Sequence, residues 1–154
     1  MFHSHVCYGL HLWGHSGRLG DVLLLQKKAV RVLTGSDYMA HCRPLFKRLK
    51  MLTVVNQYIL ECLVRIRDRA RSADTRGGIH GYGTRQTHLI NMPRCRLART
   101  QRSYPFIAFK MFNKLPEWVK DSGSDRQFRA VLRSLLVEHP FYSLSEFLDS
   151  EMTF

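Results

Sequence analysis

The chain has 154 residues, 45% of them hydrophobic and 11% aromatic, and a formal charge of +12 from 24 Lys and Arg against 12 Asp and Glu. That length suits one compact domain, and the apolar content excludes a disordered tail. Apolar runs such as DVLLLQ at 21–26 are short, far below the roughly 18–20 residues of a bilayer span, so no membrane partner is expected.

In chain order, MFHSHVCYGLHLWGHSG at 1–17 places no Lys or Arg ahead of an apolar core, and so does not read as a secretory leader. Segment 18–33 reads as an amphipathic helix, with Leu19, Val22, Leu23, Val30 and Leu33 at helical spacing, Lys27, Lys28 and Arg31 on the other faces, and Gly35 as its stop. Residues 44–50, PLFKRLK, suit a short helix with proline at its first position. The clearest helix runs through TVVNQYILECLVRIRDRARS, where Val55, Ile59, Cys62, Leu63 and Ile66 line one face and Thr53 can cap the start. From 72 to 99 the periodicity stops: SADTRGGIHGYGTR is rich in turn residues, and THLINMPRCR reads as extended chain ending at Pro93.

Helical patterning returns at 100–114 with Tyr104, Ile107, Ala108, Met111 and Phe112, and LPEW then turns the chain. A further amphipathic helix at 125–138 turns Phe128, Val131, Leu132, Leu135 and Leu136 inward, and Ser143 with Glu146 has capping-box spacing for a last short helix. The expected fold is all-α: a small irregular bundle of about five or six helices with a long basic, Gly-containing loop. It is one domain over 1–154, divided into a helical half (18–71), the basic loop (72–99) and C-terminal helices (100–154).

The charge is unevenly placed: segment 65–102 carries +8, segment 27–50 carries +6, and segment 103–154 carries −1. A positive field confined to the middle of a folded chain points to a polyanionic partner, and the dominance of arginine at 65–102 favours nucleic acid over a merely solvated face. The candidate phosphate contacts are Arg65, Arg67, Arg69, Arg71, Arg76, Arg85, Arg94, Arg96, Arg99 and Arg102. In HGYGTR, Gly81 and Gly83 would let backbone amides approach a phosphate and Tyr82 could stack on a base. On composition alone an equal reading is that the glycines make turns, Tyr82 fills the core and Arg85 pairs with a helix end.

Other chemistries find no motif. Cys7, Cys42, Cys62 and Cys95 are scattered without Cys-x-x-Cys spacing, as expected of reduced thiols in an intracellular, nuclear or cytoplasmic protein. His3 with His5, His11 with His15, and His41 beside Cys42 offer two metal ligands each, but no second pair stands at zinc-site spacing. Gly81-x-Gly83 is followed by Gln86 where the dinucleotide fingerprint needs glycine, and no P-loop, nucleophile elbow or Asp-Asp pair occurs. No catalytic residue, metal, cofactor or small-molecule substrate is therefore expected.

The pieces CYGLHLWG (7–14), LQKKAVRVLTG (25–35), CRPLFKRLKMLTVVNQYILE (42–61), HGYGTR (80–85), FKMFNKLPEWVK (109–120) and FYSLSEFL (141–148) stand in a familiar order. Together they resemble the C-terminal region, beyond the polymerase core, of arthropod non-LTR retrotransposon reverse transcriptases of the Jockey and related clades. The resemblance covers nearly the whole length. It implies an appendage that helps hold an RNA or RNA/DNA template–primer for RNA-directed DNA synthesis, beside an upstream polymerase domain that carries the catalytic aspartates. Those aspartates, the endonuclease and the Cys/His knuckle of some relatives are missing from this chain, as in a truncated element. It also implies a specific role for HGYGTR, structural or RNA-binding. Two other readings stand beside it: a protein-interaction module that packs on the polymerase core through apolar faces at 1–15 and 125–148, or an inactive decayed fragment with Trp13 and Val6 exposed.

Overall fold

The computed structural model describes residues 2–79, 87–92, 94–101 and 103–150, the side chains of Phe2, His3, Val6 and Arg99 excepted. The protein is all-α, as its periodicity implies, with five helices of seven residues or more among the described residues. In order these residues form α1 (Phe2–Cys7), α2 (Leu10–Trp13), α3 (Leu19–Thr34), α4 (Cys42–Arg48), α5 (Val54–Arg71) and α6 (Arg76–Ile79). There follow α7 (Ala98–Gln101), α8 (Tyr104–Lys114), α9 (Glu117–Lys120), α10 (Asp125–Glu138) and α11 (Leu144–Asp149). No described helix is long and apolar enough to cross a membrane.

The fold is organised around α5. Residues 52–60 are buried without interruption, and Cys62, Leu63 and Ile66 continue the inward stripe. Against it pack α8 above all, then α10, α3 and α2. The first half of α5 is buried on every side, Asn56 and Gln57 included, which gives the helix its central place. A smaller cluster of Val30, Cys42, Leu45 and Phe46 closes α3 on α4.

The helix ends follow local chemistry. Thr53 Oγ1 accepts from the Asn56 amide at 3.0 Å, and Ser124 with Gln127 forms a reciprocal capping box on α10. Gly35 ends α3 at φ 60°, in the left-handed region that glycine adopts without strain. Ser143 caps α11 through the Glu146 amide at 3.0 Å, but the Glu146 carboxylate accepts from the Tyr142 amide and pairs with Arg43. The helix expected over 100–114 is divided, because Pro105 suits only a first turn and Ser103 restarts the chain in extended backbone.

Two positions on α3 depart from the expected pattern. Leu33 is 68% exposed, while Gln26 is buried. The Gln26 amide reaches across to α5: its Nε2 donates to the Leu52 carbonyl and its Oε1 accepts from the Val54 amide, each at 2.8 Å. Asn56 makes a similar fastening, donating to the His139 carbonyl at 2.9 Å and accepting from the Phe141 amide at 3.2 Å. These amides satisfy backbone groups that would otherwise be buried unpaired. Trp13 is half-buried against the core and donates from Nε1 to the Tyr8 carbonyl at 3.0 Å, while the side chain of Val6 lies outside the described residues.

Burial also creates a pH dependence. It pushes the Cys62 thiol up to about 12 from an ordinary value of 9.0. Tyr58 is raised as well, first by burial and then by the neighbouring Cys62. Both folded-state values exceed the unfolded ones, so stability is fully present below pH 9 and falls as pH rises, because the unfolded chain then binds fewer protons. The loss should be about 1.4 kcal/mol per pH unit for each group past its unfolded value. Melting temperatures taken at successive steps from neutral to strongly alkaline pH should drop steeply above the ordinary cysteine range; a flat profile would contradict the burial of both groups.

Candidate nucleic-acid interface

The four arginines at the end of α5 have different fates, because 3.6 residues per turn sends them in different directions. Arg65 and Arg69, four residues apart, are exposed on one face. Both lie near the half-buried phenol of Tyr104 at the start of α8, whose pKa burial raises and these two guanidinium groups lower. His11 packs edge-on against the same ring at 5.8 Å between centroids. Among the described residues neither Arg65 nor Arg69 enters an ion pair. Arg71 is exposed at the side of the helix and donates to the Ser122 carbonyl at 3.2 Å.

Arg67 corrects the sequence reading. Its side chain is 1% exposed and pairs with Asp125. It also donates to the carbonyls of Ser122 and, at 3.0 Å, of Gly123, and its guanidinium stacks 4.6 Å from the Phe128 ring centroid. A guanidinium so enclosed cannot reach a phosphate. It belongs to the core as the fastening between α5 and the start of α10.

The basic loop is not simply extended chain. Thr75 and Ile90 form an antiparallel bridge, Arg76 donates its amide to the Leu89 carbonyl at 2.9 Å, and Gly77 donates to the Thr87 carbonyl at 3.0 Å. A Cβ at Gly77 would stand 3.0 Å from Thr87 Cβ, a close approach that favours glycine. The base is tied to α8 by Asn113, which accepts from the Ile90 amide at 2.9 Å and donates to the Ile90 carbonyl at 3.1 Å. HGYGTR, with Tyr82 and Arg85, lies outside the described residues, as do Arg102 and the side chain of Arg99. Arg76 is half-buried at the base, and Arg94 and Arg96 are exposed on the way into α7.

The structure thus groups Arg65 and Arg69 beside Tyr104, places Arg94 and Arg96 on the surface, and withdraws Arg67. No group of three or more His, Cys, Asp or Glu among the described residues could hold a metal ion. Comparison with family models, curated proteins and solved structures finds no match to the chain.

Summed charge assigns the cations of 27–50 no individual role. Lys27 places its ammonium 3.6 Å over the Tyr142 ring, Arg43 lies 4.7 Å from the same ring, and Arg31 donates from Nε to the Ala40 carbonyl at 3.0 Å. Tyr38, 73% exposed, stands at the edge of this group. The signal available in the sequence was an aromatic residue set among unbalanced cations.

Proposed function

We propose that the chain is a non-catalytic, nucleic-acid-binding helical region, the template–primer-holding tail of a retrotransposon RNA-directed DNA polymerase. RNA or an RNA/DNA hybrid is its partner, together with an upstream polymerase domain where one is present. The observation that carries this reading is the pair of exposed arginines, Arg65 and Arg69, on one face of α5, free of carboxylate partners among the described residues and near enough to the Tyr104 phenol to act on it electrostatically. Unneutralised guanidinium groups beside an aromatic suit a sugar–phosphate strand, since each can bridge two phosphate oxygens. The six-piece resemblance supplies the polymerase context.

Fluorescence anisotropy with a single-stranded RNA at several salt concentrations tests it. Log affinity should fall linearly with log salt, at about −0.7 per phosphate contact, and the Arg65→Ala/Arg69→Ala double variant should lose roughly 1.4 from that slope. Binding weaker than millimolar at low salt would overturn the reading.

A protein-interaction surface is the second reading. Tyr8 and Leu12 are 86% and 67% exposed near the N-terminus, and Leu24, Leu25, Val32 and Leu33 lie exposed along α3. On α10, in contrast, Phe128, Leu132 and Leu136 are buried and Val131 and Leu135 pack against the core. A docking face would therefore run along α3, away from the expected 125–148 surface. Capture of a separately expressed polymerase domain that survives nuclease treatment would favour this reading.

A further inference from the structure

We propose that the cleft between α3, the turn 35–41 and Tyr142 is a second single-strand contact, in which Tyr38 stacks on a base, Lys27 and Arg31 in the wall hold the adjoining phosphates, and Lys28, on the neighbouring surface beyond Arg31 and Tyr38, meets the strand as it leaves. The inference rests on the nucleic-acid reading above and adds a separate site to it.

The cleft encloses about 340 Å³ and is lined by Lys27, Arg31, Tyr38, Ala40, His41 and Tyr142, among others, with no carboxylate in its wall. The nearby acids are engaged elsewhere: Asp37 accepts from the Tyr38 amide at 2.7 Å, and Glu146 pairs with Arg43 and accepts from the Tyr142 amide. Lys27, Lys28 and Arg31 enter no ion pair among the described residues. Arg31 stands one turn from both Lys27 and Lys28, so like charges face each other across that turn without a counter-charge, an arrangement that an anion between them would relieve.

The wall is also held in place. The Arg31 hydrogen bond to Ala40 and the Cys42 thiol bond to the Lys27 carbonyl at 3.8 Å anchor both ends of the segment carrying His41. Tyr38 nevertheless projects into solvent, its ring centroid 6.0 Å from the Arg31 guanidinium carbon. An exposed aromatic held beside cations matches the pattern of single-strand binding, where stacking tolerates any base and the cations follow the backbone. An acidic peptide would use the cations but leave the flat face of Tyr38 without a counterpart.

The test uses the full chain with a fluorescein-labelled oligouridine and an abasic oligomer of equal length. Tyr38→Ala should weaken oligouridine binding about ten-fold and leave abasic binding unchanged, while Tyr38→Trp should retain it. Lys28→Gln, at an exposed position, should lower the salt slope by about 0.7. An oligomer carrying 4-thiouridine should cross-link to a peptide spanning 35–42. If the wild type binds with the expected salt slope but Tyr38→Ala is silent and cross-links map only to 65–102, this cleft is overturned and the proposed function stands. If no oligonucleotide binds, both fall. Loss of binding to phosphatidylserine vesicles in Tyr38→Ala, with oligouridine affinity intact, would instead assign the cleft to lipid headgroups and overturn the proposal.

Discussion

Gly14→Ala should destabilise the fold by about 3 kcal/mol or more, a large share of the roughly 5–15 kcal/mol that holds an ordinary domain folded. Gly14 ends α2 where that short helix crosses α5, and its backbone lies at φ −65°, so alanine meets no conformational objection. The objection is space. A Cβ there would stand 2.1 Å from Cδ2 of Tyr58 and 2.7 Å from the Leu10 carbonyl oxygen. Tyr58 is wholly buried on the central helix and cannot swing aside. The strain must be relieved by lifting α2, which would expose Leu10, itself 0% accessible, and loosen Trp13. Gly20→Ala is the control, since nothing lies within 4 Å of its added Cβ and it sits on the exposed side of the first turn of α3. It should be neutral or stabilise by roughly 0.5–1 kcal/mol through helix propensity. Chemical denaturation of the two variants measures the contrast, and equal midpoints would mean that α2 does not pack on Tyr58 as described.

The same helix crossing shows why the fold was legible in outline and not in its fastenings. Val55, Ile59, Cys62, Leu63 and Ile66 recur at helical spacing, and the structure buries every one. Thr53, Gly35 and Ser143 mark helix ends because their chemistry acts over three or four residues. What periodicity cannot show is a polar side chain whose partner is distant in sequence. Gln26 and Asn56 occupy core positions because each satisfies backbone groups brought up from 26 or more residues away. Asn113 holds the base of the basic loop across 23 residues for the same reason. The candidate interface divides similarly. Charge counting located an arginine-rich segment, but a count is blind to direction, and about half a turn of helix separates a solvent-facing Arg65 from an enclosed Arg67.

That enclosure makes Arg67 the most informative arginine to remove. Arg67→Ala should cost about 3–5 kcal/mol, since it opens a cavity against Phe128 and strips the Ser122 and Gly123 carbonyls of their donor. The ion pair itself contributes the smaller share, because Asp125 is 70% exposed and water can take the place of the guanidinium. Asp125→Asn should therefore cost no more than about 1 kcal/mol, even though it breaks the same pair. Arg67→Met preserves the contact with Phe128 while losing the donors, and should fall between the two. The same variants separate architecture from binding. Under conditions where Arg67→Met remains folded, the salt dependence of RNA binding should match the wild type, whereas Arg65→Ala should lower its slope by about 0.7. A folded Arg67→Met protein with a slope reduced by as much as that of Arg65→Ala would return Arg67 to the interface, and the buried fastening between α5 and α10 would have to be abandoned.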